Sequence, residues 1–529
     1  MRYSSIIFSL LAASIASQVL AANRPSGYTT ICKSDQTCSV ASATNVAFGR
    51  NDTFTYKVLT GTFVCSEATF GAGTKVAGGV NECSIPAAAS SVASSKPVVS
   101  SAVSSSKSSI ASSVAQTSSS AKSSSVVASS SVANNNCLGN ISASKIYYVS
   151  KNGSANANGT SFSSPLDLTT ALAQVKAGEM LLLEPGTYSV PYTAGKANTI
   201  TLSKSGTASA PIRVVAANCG RAVIDFSFPE LAWVQDSYGI YLTGSYWYFK
   251  GIEITRAGYQ GVYVTGKYNT FENCAFHNNR NTGLEINKGG AYTTVINSDA
   301  YRNYDPKKNG SMADGFGPKQ TQGPGNKFVG CRAWENSDDG FDMFDSPEIV
   351  TVENSWAFRN GVDVWNYGSF AGNGNGFKLG GNKIVARNRI TNSVAFDNPL
   401  KGFDQNNNAG GLTVLNNTAY RNGINYGLGN PVNSGEKHYL RNNISLSGTV
   451  SVSNADSKNN SWDTGPSAIA ADFASLDLSL ATAARNPDGS LPNNNLFRLN
   501  ANSALIDKGV NVGLPYAGVA PDLGAFEKK

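Results

Sequence analysis

One stretch of the chain carries four aspartates and a lysine in three phrases, ADGF, SDDGFD and GNGFKLGG, that share a glycine followed by phenylalanine: Asp314, Asp338, Asp339, Asp342 and Lys378. Clustered carboxylates without histidine or cysteine are the donors that a hard cation prefers, and a flexible set of them suits calcium better than magnesium. A divalent cation would also disfavour the positive charge of a nearby lysine. The residues therefore predict a calcium site beside a lysine that can act as a base.

This combination of residues could remove a proton from an acidic sugar. A cation that binds the sugar carboxylate would acidify the proton on the adjacent ring carbon and stabilise the charge that develops there. Loss of the glycosidic oxygen from the next ring carbon would complete a β-elimination. Two structural roles stay open at this point, because the aspartates could cap backbone amides in turns and Lys378 could form a salt bridge with Asp342 or Asp404.

Composition excludes other chemistries. The chain has only two histidines, His277 and His438, so nucleophiles activated by histidine and histidine-rich metal sites are poorly provided for. Charged residues make up only 15% of the chain and glycine is abundant, which favours an all-β protein with many turns. The net charge of +7 is only a weak bias toward acidic partners.

Glycines recur through the second half of the chain at intervals of 22 to 36 residues, which indicates stacked coils with inserted loops: Gly239, Gly261, Gly283, Gly315, Gly340, Gly376, Gly402 and Gly427. No two-residue hairpin turns separate the repeats, so the pattern favours a parallel β-helix. Alternation along each strand then predicts one outward column, two residues past each glycine: Tyr241, Tyr263, Glu285, Gly317, Asp342, Lys378 and Asp404. The residues directly after the glycines should fill the core, and Asp342 and Lys378 should be neighbours on adjacent coils.

A second repeat is the phrase alanine, aromatic, any residue, asparagine. Stacked coils lie about 4.8 Å apart, so we expect the aromatic rings to stack inward and the asparagine amides to form a hydrogen-bonded ladder. The predicted ladder consists of Asn278, Asn303, Asn336, Asn360, Asn398 and Asn422. Earlier in the chain, residues 146–150 and 180–183 are predicted strands, and a short helix across Leu168, Leu172 and Val175 should be stopped by Gly178.

The domain organisation is predicted from changes in composition. Residues 1–22 have the charged start, apolar run and small-residue end of a signal peptide, so we expect a secreted, extracellular protein. Residues 23–85 form a small cysteine-containing accessory module, residues 86–135 a flexible serine-rich linker, and residues 136–529 the main domain. No later segment is apolar over the roughly 18 residues of a membrane span.

The accessory module should be held by two disulfides among Cys32, Cys38, Cys65 and Cys83, with three pairings open. The remaining cysteines, Cys137, Cys219, Cys274 and Cys331, could be reduced and buried or paired. The aromatic residues of the module could fill its core, or one or two of them could form an exposed platform for a sugar: Tyr28, Phe48, Phe54, Tyr56, Phe63 and Phe70.

The phrases ADGF, NSDDGFD, NGNGFKLGG and GFDQNNN, in that order, resemble those of the pectate lyases of polysaccharide lyase family 9. The resemblance covers residues 140–529 and includes the opening YYVSKNGS and PLDLTTAL. It implies a right-handed parallel β-helix that cleaves polygalacturonate, or pectin, by calcium-dependent β-elimination to unsaturated oligogalacturonides. It also implies that the catalytic calcium (Ca2+) is bound by Asp314, Asp338, Asp339 and Asp342, and that Lys378 is the general base.

Two other classes of function remain as alternatives. The β-helix could be a non-catalytic carbohydrate-binding protein, or it could be a glycoside hydrolase that uses Asp339 and Asp404 on an acidic polysaccharide. The accessory module resembles those of secreted bacterial enzymes and could bind a plant cell-wall polysaccharide. We expect a monomer without a nucleic-acid or membrane partner. Candidates for binding the polymer's other carboxylates are Lys307, Lys308, Lys319 and Lys383.

Overall fold

The structure is a computed structural model that describes residues 24, 28–50, 53–71, 74–76, 79–86 and 141–528. The chain divides into two compact units, Met1–Ala121 and Lys122–Lys529. The predicted signal peptide, and the predicted linker apart from Pro86, lie outside the described residues. In the described part of the chain, no helix is both long and apolar enough to cross a membrane.

The first unit is built on a four-stranded antiparallel sheet with the spatial order Tyr28–Lys33, Glu82–Pro86, Thr37–Arg50 and Thr53–Val64. A one-turn helix, Glu67–Phe70, follows the last residue of Thr53–Val64 by a short turn. The disulfides are Cys32–Cys38 and Cys65–Cys83, which resolves the three pairings that the sequence leaves open.

Aromatic residues of this unit are both buried and exposed. Phe48 and Phe70 stack at 5.0 Å between ring centroids and are buried against the cysteines. The Tyr56 side chain lies on the surface, 49% exposed, and contacts Tyr28 edge to face at 6.1 Å. Phe48 and Phe70 are therefore core residues, the first of the two roles considered, whereas Tyr56 is exposed as the second role, a platform for a sugar, requires.

The second unit is a right-handed parallel β-helix of three sheets, as predicted, and each coil contributes one short strand to every sheet in turn. Sheet 1 has twelve strands: Ile146–Val149, Met180–Leu183, Ile212–Ala216, Trp247–Lys250, Thr270–Glu272, Thr294–Ile296, Lys327–Val329, Thr351–Glu353, Arg389–Thr391, Thr413–Leu415, His438–Arg441 and Ala455–Lys458.

Sheets 2 and 3 have ten strands each. Those of sheet 2 are Gly186–Ser189, Ala222–Asp225, Ile252–Thr255, Ala275–His277, Asp299–Tyr301, Arg332–Trp334, Trp356–Phe358, Val394–Phe396, Thr418–Tyr420 and Ile444–Leu446. Those of sheet 3 are Ile200–Leu202, Ile240–Leu242, Val262–Val264, Leu284–Ile286, Phe316–Pro318, Phe341–Asp342, Phe377–Lys378, Lys401–Asp404, Ile424–Leu428 and Thr449–Val452.

The register of sheet 3 confirms the predicted columns. Asp342 pairs with Lys378, and Lys378 pairs with Asp404. The residues after the glycines fill the core and are at most 2% exposed: Ile240, Val262, Leu284, Phe316, Phe341, Phe377 and Phe403.

The last member of the glycine series was assigned wrongly. Gly427 pairs with Asp404, so it lies in the outward column, and Tyr426 takes the core position and stacks on Phe403 at 4.9 Å. The strand pairs with Lys401–Asp404 in regular register, so Asn425 occupies the position that Gly402 holds in the preceding coil.

The asparagine ladder exists, but its first member was predicted one residue too early. Phe276 pairs with Ala300, so Asn279 rather than Asn278 aligns with Asn303 and donates to it at 3.0 Å. The amide bonds continue through Asn336, Asn360, Asn398 and Asn422 at 2.8 to 3.1 Å. The ladder lies in the turn between sheets 2 and 3, directly before the strands that carry the predicted site.

The aromatic residues of the same phrase stack as predicted but face outward, which corrects the predicted direction. From the second phrase onward the alanines point into the main core, and the rings of Tyr301, Trp334, Phe358 and Phe396 stack in sequence at 4.4 to 5.7 Å on the outer face. In the first phrase Phe276 itself lies in the main core, as predicted. The C-terminal segment covers this stack with Leu496, Phe497 and other apolar side chains. Both faces of sheet 2 are therefore apolar, and alternation alone cannot tell which one faces inward.

The helices are short. Leu168–Gln174 begins at Asp167, whose side chain accepts a hydrogen bond from the Thr170 amide, and 3-10 turns occur at Ala217–Cys219, Ala470–Asp472 and Leu478–Thr482. The helix ends before Gly178, because Val175 is already extended with ψ 140°. Gly178 instead occupies the following turn at φ +82°. Cys274 and Cys331 are free and buried, Cys219 is disulfide-bonded, and Cys137 lies outside the described residues.

Candidate active site

Sheet 3 brings Asp342 and Lys378 together on its outer face. They follow Phe341 and Phe377, whose rings are buried and stack at 4.8 Å, so the next side chain on each strand must point away from the core. The Lys378 side chain is 12% exposed, and its Nζ lies 3.4 Å from Asp342 Oδ1. The predicted neighbours are therefore in contact.

The other three aspartates occupy the turns that enter sheet 3. Asp314, Asp338 and Asp339 each offer an oxygen that lies within 4.8 Å of the oxygens of the other two. The turns are fixed by the asparagine ladder, since Asn336 precedes Asp338 by two residues. The structure thus gathers residues from two coils at one point, as the shared phrases predict.

Backbone amides hold these carboxylates in place. Asp338 accepts from the amides of Met312 and Asn373, both at 2.7 Å. Asp339 Oδ1 accepts from the Asn375 amide at 3.0 Å and from Asn375 Nδ2 at 2.8 Å. The capping role left open by the sequence is therefore present, and it orients the acidic oxygens at the same time.

Lys378 faces the cluster as well as its strand neighbour. Its Nζ donates to Asp339 Oδ2 at 2.9 Å. Of the two salt-bridge partners considered from the sequence, Asp342 is the one found, because Asp404 pairs with Lys401 at 2.7 Å instead. Lys378 thus bridges Asp339 in the turn and Asp342 on the strand.

A second lysine belongs to the site, although the sequence suggested Lys319 only as a group that binds the polymer. Lys319 is 5% exposed, and its Nζ lies 2.6 Å from Asp314 Oδ2 and 3.3 Å from Asp342 Oδ2. Its side chain passes over Gly317, where an added Cβ would meet Lys319 Cε at 3.2 Å. The sequence signal for this contact is Gly317, the one glycine in the outward column, which leaves room for the Lys319 side chain.

The ionisation of these groups reflects a shortage of positive charge. Burial and the charge of Asp314 raise the pKa of Asp338 to about 6. Burial also raises the pKa of Asp339 well above its usual range, although Lys378 opposes the shift. Burial would likewise raise the pKa of Asp342, but Lys378 and Lys319 outweigh it and hold that pKa below its usual value.

The two lysines show the converse effect. Burial alone would lower the pKa of Lys378, but the carboxylates of Asp342 and Asp339 outweigh it and raise that pKa. Four carboxylates against two ammonium groups leave an excess of two negative charges, the charge that one divalent cation would balance. The all-oxygen donor set and this excess fit a calcium ion.

The site opens into a cleft of about 430 Å³. Asp338, Asp342 and Lys378 line it together with Phe344 and the loop residues Ala371, Gly372 and Asn373. Lys307, Lys308 and Lys383 are exposed and do not line this cleft.

Comparisons with known proteins agree on one family. The model described as Pel9A-like, right handed beta helix region, matches residues 147–443. Pectate lyase L of Dickeya dadantii (strain 3937) is 69% identical over 389 residues, which cover 73% of this chain and 92% of that protein. Pectate lyase PEL9 of Emericella nidulans is 33% identical, with 65% of this chain and 90% of that protein covered.

Solved structures give the same result. The crystal structure of pectate lyase Pel9A is 69% identical with a TM-score of 0.73, and the match covers 74% of this chain and 98% of that chain. A rhamnogalacturonan lyase is 30% identical with a TM-score of 0.58, and the match covers 68% of this chain and 97% of that chain. The pectate lyase is therefore the nearer of these two structures in sequence and in fold.

Proposed function

The chain belongs to the Pel9A-like right-handed β-helix family, that of the family 9 pectate lyases, and from this premise we propose that it cleaves polygalacturonate by calcium-dependent β-elimination with Lys378 as the base. That it is a pectate lyase, a carbon–oxygen lyase acting on polysaccharides, rests on the relatives at 69% identity. The metal, the base and the place of action are the parts of the proposal that rest on this chain's own residues.

One observation carries the calcium assignment. Asp314, Asp338 and Asp339 direct carboxylate oxygens to within 4.8 Å of one another in a buried site, with too little positive charge around them. Asp342 lies on the strand beside them and contacts both lysines. We assign the four aspartates as the residues that hold calcium, with Asp339 as the member nearest to Lys378 and Asp342 as its neighbour on the adjacent strand.

The reaction assigns one proton transfer to this chain. Bound calcium supplies positive charge that draws electrons from the uronate carboxylate and offsets the aspartate charges that raise the pKa of Lys378. Lys378 Nζ accepts the proton from the ring carbon next to that carboxylate. The C–H electron pair forms a C=C bond to the next ring carbon, and the bond from that carbon to the glycosidic oxygen breaks. The departing oxygen takes a proton from solvent. Asp339 and Asp342 keep Nζ at the cleft.

Two features support action outside the cell. The apolar N-terminus has the pattern of a signal peptide, and the disulfides Cys32–Cys38 and Cys65–Cys83 are typical of oxidising compartments. We propose that the protein is secreted as a monomer, and that the exposed Tyr56 face of the first unit binds plant cell-wall polysaccharide.

The test compares wild type with Lys378→Ala and with Lys250→Ala, which removes a lysine paired to Glu272 on sheet 1. Turnover is followed by the ultraviolet absorbance of unsaturated product, and calcium and polymer binding by calorimetry. We expect Lys378→Ala to lose turnover by at least about a hundredfold and to keep both ligands, since one general base contributes roughly 100- to 10,000-fold. Lys250→Ala should match wild type.

Near-normal turnover in Lys378→Ala would show that Lys378 is not the general base. Reducing ends that accumulate in chelator without unsaturated product would favour the hydrolase, for which Asp339 and Asp404 were the alternative pair. Binding without any cleavage by wild type would favour the non-catalytic alternative.

A further inference from the structure

A second, smaller pocket adjoins the cleft toward the N-terminal coils of the β-helix. It has a volume of about 180 Å³ and shares Met312, Lys319 and Gln320 with the cleft. The rest of its lining comes from the turns and strands that precede the calcium site, and none of the four aspartates assigned to calcium belongs to it. A polymer chain that occupies the cleft and continues along the coils would therefore reach this pocket next.

Tyrosine rings form one side of the pocket. Tyr238 stacks on Tyr263 at 4.6 Å with an interplanar angle of 17°, and Tyr259 lies 5.8 Å from Tyr238. Tyr259 is half-buried, so part of its side chain remains open to a ligand. Aromatic side chains with a polar tip offer an apolar surface for the C–H faces of a sugar ring and hydroxyls for its oxygens.

The floor of the pocket presents an acceptor without a donor. Gln260 is 4% exposed, and its Oε1 has no hydrogen-bond partner among the described residues. The other end of the amide is committed, because Gln260 Nε2 donates to Glu285 Oε2 at 2.9 Å. Buried acceptors are normally satisfied, so this oxygen indicates a ligand that brings a donor, such as a sugar hydroxyl.

The rim of the pocket carries a lysine, Lys288, that has no salt-bridge partner among the described residues. Lys288 is exposed, and its Nζ lies 5.6 Å from the centroid of the Tyr263 ring. None of the carboxylates in the described ranges forms a salt bridge with it, whereas Lys319 at the shared wall is committed to Asp314 and Asp342. Lys288 is therefore the group at this pocket that can meet a carboxylate from outside.

We propose that this pocket binds one uronate unit of the polymer, with the ring against the tyrosines, a hydroxyl donating to Gln260 Oε1, and the carboxylate at Lys288. The proposal rests on the proposed function, since it names a binding position for the same substrate. It also implies an orientation, because the buried Glu285 repels a carboxylate from the floor. Asp236, the other acid in the lining, already accepts from the Tyr238 hydroxyl at 2.7 Å, so the carboxylate should lie at Lys288.

The experiment measures KM and kcat on polygalacturonate for Lys288→Gln, Lys288→Arg and Tyr259→Leu. Lys458→Gln is the control, because it removes the charge of an exposed lysine on the last strand of sheet 1. We expect Lys288→Gln to raise KM about threefold to fivefold with kcat unchanged, the size of an exposed charge pair. Lys288→Arg should restore the wild-type KM, and Tyr259→Leu should raise it.

The outcomes separate this proposal from the proposed function. Wild-type KM in both Lys288→Gln and Tyr259→Leu, from an enzyme that still releases unsaturated product, overturns the pocket and leaves the lyase standing. An equal rise in KM for Lys458→Gln also overturns it, because the effect would then come from net charge. A wild type that releases no unsaturated product from polygalacturonate overturns both.

Discussion

Replacing Asn279 and Asn278 separately by alanine tests the ladder that positions the site. Asn279 is fully buried; its Nδ2 donates to Asn303 at 3.0 Å and its Oδ1 accepts from the Ala257 amide at 3.0 Å. Two lost bonds at about 1 kcal/mol each, and a buried amide left without an acceptor, give a loss of about 3 kcal/mol in the free energy of unfolding. Asn278 makes one side-chain hydrogen bond, to His277, and lies at φ +53°, which alanine disfavours by about 1 kcal/mol, so Asn278→Ala should cost about 2 kcal/mol.

The assay is equilibrium unfolding of the full chain in urea, followed by near-ultraviolet circular dichroism. Both variants make the same chemical change at adjacent positions, so effects on the unfolded chain largely cancel. Asn279→Ala should show the larger loss by about 1 kcal/mol. Equal losses, or a larger loss for Asn278→Ala, would refute the register that places Asn279 in the ladder.

Two predictions concern the charges of the site itself. Asp339→Asn should weaken calcium binding at least about tenfold in calorimetry, since a buried charged ligand is lost; unchanged affinity would remove Asp339 from the calcium ligands. Lys319→Met leaves the buried Asp314 without a salt-bridge partner and Asp342 with Lys378 alone, so without calcium the protein should lose about 3 kcal/mol of stability. Calcium should recover part of that loss, measured as the rise in the thermal unfolding midpoint, and a loss that calcium does not change would contradict the charge balance.

Much of the site could be predicted because a β-helix repeats. Asp342 and Lys378 each lie two residues after a recurring glycine, which placed them side by side despite the loop inserted between Gly340 and Gly376, and the register of sheet 3 confirms it. The period of two also fixed which side chains share a face. It could not fix which face of sheet 2 is inside, because the C-terminal segment buries the outer aromatic stack as well.

The errors arose where the repeat is locally broken. Two consecutive asparagines hid the correct ladder member, Asn279, and Asn425 replaces the anchor glycine in the coil that contains Gly427. The sequence names Lys319 as a candidate for binding the polymer but does not predict its pairing with Asp314 and Asp342, because the side chain reaches back over Gly317 from beyond the end of its strand. Contacts of this kind depend on side-chain reach, which sequence spacing does not report.

The most direct test of the central claim is the ultraviolet absorbance of polygalacturonate incubated with the wild-type protein, first with added calcium and then with excess chelator. We expect an absorbance rise that calcium supports and chelator stops, because β-elimination leaves an unsaturated sugar and the aspartate cluster needs its cation. An absorbance rise that continues unchanged in chelator, or no rise in either condition, would contradict it.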